Sequence, residues 1–247
     1  MIEKPVEIQT RDGTAGGILL YPEKEGRWPS VLYLTDILGI RYASRTMASR
    51  LAAEGYTVLL PNIFYRNGTP PVFNFAFKIG DDRFVNRMNE IRGPLTPDAM
   101  DRDVSAYVDF LATQPSVSGN AFGAVGFCFS GQLALRAAAA RSDQIAAAAS
   151  FHGGGLYTDA PTSPHTLLPR VKARLYFGHG IEDRSMPQEA IEKLDHALAE
   201  WGGSYESEIY DAHHGWTVPD NPTYNEPQAE RAYKKLTGLL NSVLKHN

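Results

Sequence analysis

What most constrains the fold of this 247-residue chain is the distribution of its apolar residues, in which short dense runs alternate with longer amphipathic stretches. "SVLYLT", "YTVLLP", "FGAVGF", "IAAAASFHG" and "ARLYFGH" are continuous apolar runs of the kind shown by strands buried on both faces. Between them, "YASRTMASRLAAEG", "PDAMDRDVSAYVDFLATQ", "SGQLALRAAAAR" and "PQEAIEKLDHALAEWG" place apolar side chains at helical spacing. The first ends in Gly and the second starts with Pro and acids, as helix ends do. "SYESEIYD" adds a strand, and a last helix falls within 226 to 245. At the start, "VEIQT" and "GGILLYP" flank the turn-like "RDGTA" and predict a hairpin. This alternation predicts an α/β fold with a mainly parallel sheet covered by helices on both faces.

No shift in composition, Gly/Ser linker or internal repeat divides residues 1–247, so a single domain is expected. One segment breaks the alternation. Residues 67–97 mix Phe73, Phe75, Phe77 and Phe84 with Arg83, Arg87 and Arg92. Connections this long in compact α/β domains are functional or mobile, so a partly helical insertion covering the pocket is expected. A surface excursion with its own small apolar cluster weighs equally.

The net charge of -4 and the absence of a basic run argue against nucleic acid or an anionic membrane as partner, and favour a small molecule. The single cysteine excludes an internal disulfide and a cysteine-built metal site, which suits a reducing compartment. "MIEKPVEIQTRDG" lacks the pattern of a signal peptide, and no apolar stretch reaches the ~18 residues of a membrane span. A cytoplasmic protein is expected, as a monomer or small homo-oligomer.

That cysteine, Cys128, lies in "AVGFCFSGQLAL", where a strand passes into a helix. Buried free cysteines are usually inert, but these neighbours match a nucleophile elbow. Gly126, Ser130 and Gly131 supply the small residues that let strand and helix approach. The apex also sits at a helix N-terminus, where backbone N–H groups favour a developing anion. Ser130 stands where glycine is more usual, and is small enough to keep the geometry.

A cysteine nucleophile needs an imidazole to take its proton and a carboxylate to orient that imidazole, here in the chain order nucleophile, acid, histidine. "LYFGHGIEDRSMP" offers Asp183, with Glu182 adjacent; "EIYDAHHGWTVPD" offers His214, with His213 adjacent. Asp183 and His214 are preferred, and chemistry alone leaves their neighbours open. His152, ending a strand on the edge where open α/β folds bind ligands, is a candidate pocket residue, as is Trp216.

These residues resemble the dienelactone hydrolase (carboxymethylenebutenolidase) family of the α/β-hydrolase fold. "LTDILGIR", "GYTVLLPNIFYRNG", "VGFCFSGQLAL", "SFHGGG", "YFGHGIEDRSMP" and "YDAHHGW" fall in the family's order and spacing. The resemblance implies a carboxylic ester hydrolase of the EC 3.1.1 type with a Cys128, His214, Asp183 triad and no metal or organic cofactor. It also implies an oxyanion hole from the backbone N–H groups of Ile37 and Phe129. The substrate would be a small, dienelactone-like ester or lactone; an acyltransferase or thioesterase with the same triad, or a silent binding protein on this scaffold, are the rivals. Two positions depart from the family. Asp36 stands where a glutamate supports the resting thiol, and Val218 where an arginine holds the substrate carboxylate. Arg83 or Arg87 would supply the other half of the clamp on the substrate carboxylate.

Overall fold

The computed structural model describes residues 1–245. Eight strands form one sheet: β1 (Ile2–Thr10), β2 (Gly13–Tyr21), β3 (Trp28–Leu34), β4 (Thr57–Pro61), β5 (Val117–Phe127), β6 (Ile145–Phe151), β7 (Arg174–Gly180) and β8 (Tyr205–Tyr210). Their order is β1-β2-β4-β3-β5-β6-β7-β8. β2 runs antiparallel to β1 and β4, and β3 to β8 are parallel to one another. The helices are α1 (Tyr42–Ala53), α2 (Asp82–Arg92), α3 (Pro97–Ala112), α4 (Gly131–Ala140), α5 (Gln188–Trp201) and α6 (Glu226–Leu244). Among the described residues no helix is long and apolar enough to cross a membrane.

The dense runs form strands because side chains that alternate across a sheet find apolar cover on both faces. Leu32, Leu59, Ala124, Ala148 and Leu175 join one core with α3, α4 and α5. Their neighbours Val31, Val58, Val125, Ala149 and Tyr176 join a second core with α1 and α6. The α/β-hydrolase layout read from the sequence is thus the observed one. β1 begins four residues before the sequence motif, at Ile2 rather than Val6, because its outer positions are polar and the sheet edge gives periodicity little to detect.

Parallel strands put all their C-terminal ends on one edge. β3 leads there to Asp36 and Ile37, β5 to Cys128, β6 to His152, β7 to Asp183 and β8 to His214. Within 67–97, α2 is capped by the Asp81 carboxylate, which accepts from Phe84 N at 2.7 Å. Phe73, Phe77 and Phe84 pack at centroid distances of 5.0 to 5.2 Å, and Phe73 and Phe84 join the core shared with α3, α4 and α5, so this segment is packed onto the domain.

Candidate active site

Cys128 sits at the apex between β5 and a single 3-10 turn, Cys128–Ser130, that leads into α4, with a left-handed φ of 56°. A non-glycine residue there stores strain and persists because its surroundings hold it. Its N–H donates to His152 Nδ1 at 3.0 Å and its carbonyl accepts from Gly154 N at 3.3 Å. Gly126 is required two residues earlier, because a Cβ there would collide with the Ser130 carbonyl oxygen. Ser130 does more than fit: its hydroxyl donates to the Thr35 carbonyl, tying the elbow to the loop that follows β3.

His214 bridges the other two side chains. Its Nδ1 lies 2.6 Å from Asp183 Oδ2, and its Nε2 lies 3.0 Å from Cys128 Sγ. Asp183 Oδ1 accepts from Ser185 N at 2.8 Å and from Ser185 Oγ at 2.6 Å, an Asx-type turn that fixes the carboxylate. Thr223 Oγ1 donates to the His214 carbonyl at 2.6 Å. Gly215 follows with φ of 94°, and a Cβ there would meet the Asn221 side chain. The neighbours left open by the sequence lie elsewhere: His213 and Glu182 face each other 3.9 Å apart with 58% and 81% of their side chains exposed.

Burial disfavours the His214 imidazolium, but the Asp183 carboxylate and the Cys128 sulfur outweigh it and push its pKa up to about 10. For Asp183, burial opposes ionisation, while His214 and Ser185 more than compensate and hold it below the usual carboxylate range. A raised histidine stabilises the fold fully below its unfolded value of about 6.5. That contribution then falls as pH rises through about 10, because the unfolded chain gives up its proton first. The melting temperature of wild type should therefore drop more steeply between pH 6.5 and 10 than that of His214→Gln. Parallel slopes in thermal melts would contradict the assignment.

A cleft of about 430 Å³ opens over Cys128, lined by Ile37, Phe84, Met88, His152 and His214. An adjoining lobe adds Arg92, Phe129, Gln132 and Ser185. Ile37 and Phe129 line this lobe with Cys128, and among the described residues their N–H groups donate no loop, turn or cap hydrogen bond.

Several sequence expectations are corrected here. Asp36 lines the cleft, but its carboxylate is gripped by Arg41 at 2.6 and 2.9 Å and accepts from Leu38 N, so it caps the loop and makes no hydrogen bond to the thiol. Arg41 also holds Asp220, 179 residues away, which no local pattern announces. Arg87 donates to the Val72 and Asn67 carbonyls and pairs with Glu90. Exposed Arg83 lies over the Phe75 ring, 4.0 Å from its centroid, and neither arginine lines the cleft. Trp216 is fully buried, stacked 4.9 Å from Tyr210, and cannot touch a substrate. Val218 is buried as well, so that position faces no ligand.

His152 does reach the cleft, but in a role missed in the sequence. Accepting at Nδ1 requires its proton to be on Nε2, which donates to Thr217 Oγ1 at 2.8 Å. Burial, and secondarily the neighbouring His214, keep it well below the ordinary imidazole range and hence neutral. Arg92, not singled out as a pocket residue in the sequence, lines the cleft beside Phe129, 4.9 Å from that ring's centroid, with no carboxylate partner among the described residues.

The dienelactone hydrolase family model matches residues 16–244. The chain belongs to the dienelactone hydrolase family. The carboxymethylenebutenolidase of Rhodococcus opacus is 29% identical over 204 residues, covering 80% of this chain and 75% of that one. A Synechocystis protein assigned as a carboxymethylenebutenolidase is 27% identical over 244 residues, covering 97% and 96%. Among solved structures, a Klebsiella pneumoniae protein assigned as a dienelactone hydrolase superposes with a TM-score of 0.84 at 20% identity, covering 96% and 97% of the two chains. As a dienelactone hydrolase family member the protein is a carboxylic ester hydrolase acting on esters or lactones.

Proposed function

We propose that this hydrolase works through an acyl thioester on Cys128. The observation that carries the reading is the continuous line from Asp183 Oδ2 through His214 to Cys128 Sγ, at 2.6 and 3.0 Å. The thiolate is the reactive form of cysteine, and an imidazolium held at this distance stabilises it. Cys128 Sγ attacks the acyl carbon, and the developing oxyanion is received by the N–H groups of Ile37 and Phe129. A removed oxyanion donor costs roughly 10²–10³ in turnover. His214 gives its Nε2 proton to the departing alkoxide, leaving the acyl group on sulfur. The same nitrogen then takes a proton from water, the hydroxide adds to the thioester carbon, and the thiolate leaves as the acid is released. Asp183 holds Nδ1–H throughout, so the imidazole always presents Nε2 to the reaction. Residues 67–97 cover part of the cleft through Ile79, Phe84 and Met88, which line it and give the acyl group an apolar wall while leaving the deacylating water access to the thioester.

The lining favours a small, mainly apolar acyl group, with Arg92 the cation for an anionic substrate. A substrate panel tests both parts. Wild type should convert p-nitrophenyl acetate and neutral lactones to the free acid even with methanol present. Methyl ester as the main product would make the protein an acyltransferase. Arg92→Ala should raise KM about tenfold for a carboxylated ester, with little change for the neutral one, as loss of a charge-assisted contact implies. Equal effects on both would remove Arg92 from substrate binding.

A further inference from the structure

On the opposite face of the sheet from α4, a second cavity of about 170 Å³ lies between α1 and α6. Its apolar wall includes Met47, Leu51, Phe127, Phe151 and Leu236, and it shares no lining residue with the Cys128 cleft. An engineered apolar cavity of about 150 Å³ binds benzene, so this one has room for a single ring with a small substituent.

Two buried hydroxyls break the apolar lining. Tyr33, 2% exposed, has no hydrogen-bond partner for its hydroxyl among the described residues. Tyr33 lines the cavity, so its hydroxyl is accessible from that side. A guest hydroxyl in the cavity would supply that phenol with a partner. Thr217 also lines the cavity; its oxygen accepts from His152 Nε2, which leaves its own proton free to donate.

Charge is confined to the rim. Arg50 and Glu230 pair there at 2.5 and 2.7 Å, and Arg50 also covers the Tyr233 ring at 3.6 Å. The ion pair is self-satisfied and offers nothing to a charged guest, while the interior would strip such a guest of water without compensation. We propose that this cavity is a binding site for a small neutral phenol, its ring against Phe127 and Phe151 and its hydroxyl partnered by Tyr33. Thr217, on the same wall, stands two hydrogen bonds from the Cys128 backbone N–H, through His152. The site stands independently of the catalytic reading.

The test is calorimetric titration of p-cresol into wild type, into protein alkylated at Cys128 with iodoacetamide, and into Tyr33→Phe and Ala232→Leu. Ala232 is a buried α6 residue lining the cavity, and its enlargement fills that space. Unchanged p-nitrophenyl acetate turnover in both variants verifies their folding. One equivalent of p-cresol should bind wild type and alkylated protein alike. Affinity should fall about tenfold in Tyr33→Phe, as loss of one buried hydrogen bond implies, and toluene should bind wild type more weakly by a similar factor. Ala232→Leu should bind no p-cresol. Absence of binding to wild type, loss of binding on alkylation, full affinity in Tyr33→Phe, or toluene binding as tightly as p-cresol would each overturn the proposal.

Discussion

Cys128→Ala should lower kcat/KM for p-nitrophenyl acetate by about 10⁴-fold or more, the scale on which loss of a nucleophile is felt when the oxyanion donors remain. The substitution deletes one half-buried sulfur and keeps the Cβ that already tolerates the left-handed backbone, so the fold should be retained, with the melting temperature lowered only by the lost contact between the sulfur and His214. His152 Nδ1 still receives the backbone N–H of residue 128, and Ser130 still anchors the turn to Thr35. A steady-state assay beside a thermal melt therefore separates chemistry from folding. Turnover retained at the wild-type level would mean that the sulfur takes no part.

Asp183→Asn should cost about 10⁴-fold in kcat, through the imidazole tautomer. The amide can be fixed in place by the Ser185 donors that now serve Oδ1, and its NH₂ would then face His214 Nδ1. That forces the proton onto Nε2, where it points at the sulfur and the ring can no longer accept from Cys128 or from water. KM should change little, because Asp183 lies behind His214 and is 6% exposed. A loss seen in KM alone would contradict the positioning role.

How much of this was legible in the sequence depended on range. The parallel sheet, the elbow at Cys128 and the order in which Asp183 and His214 follow it all lie in local patterns, and the structure brings those three side chains together. The choice between Asp183 and Glu182, or His214 and His213, could not be derived from neighbouring letters, since each pair differs in which way one loop residue points. Trp216 misled for that reason: two residues past His214, the chain has turned inward, and the indole stacks on Tyr210 in the core. Asp36 misled because its partner Arg41 competes for it at short range. Ser185 was readable as the third residue of an Asp-x-Ser turn, a motif that fixes carboxylates by itself. His152 was placed on the right edge, yet its bond to the Cys128 N–H arises from two strand ends meeting and has no sequence signature.

The most direct measurement is rapid-quench mass spectrometry of the protein mixed with p-nitrophenyl acetate, with the peptide containing Cys128 sequenced after digestion. An acetyl group on Cys128 that forms and decays within one turnover is the predicted result, accumulating in His214→Gln if slow acylation still outpaces deacylation. Turnover that proceeds with Cys128 unmodified at every quench time, and that survives Cys128→Ala, would contradict the acyl-thioester account.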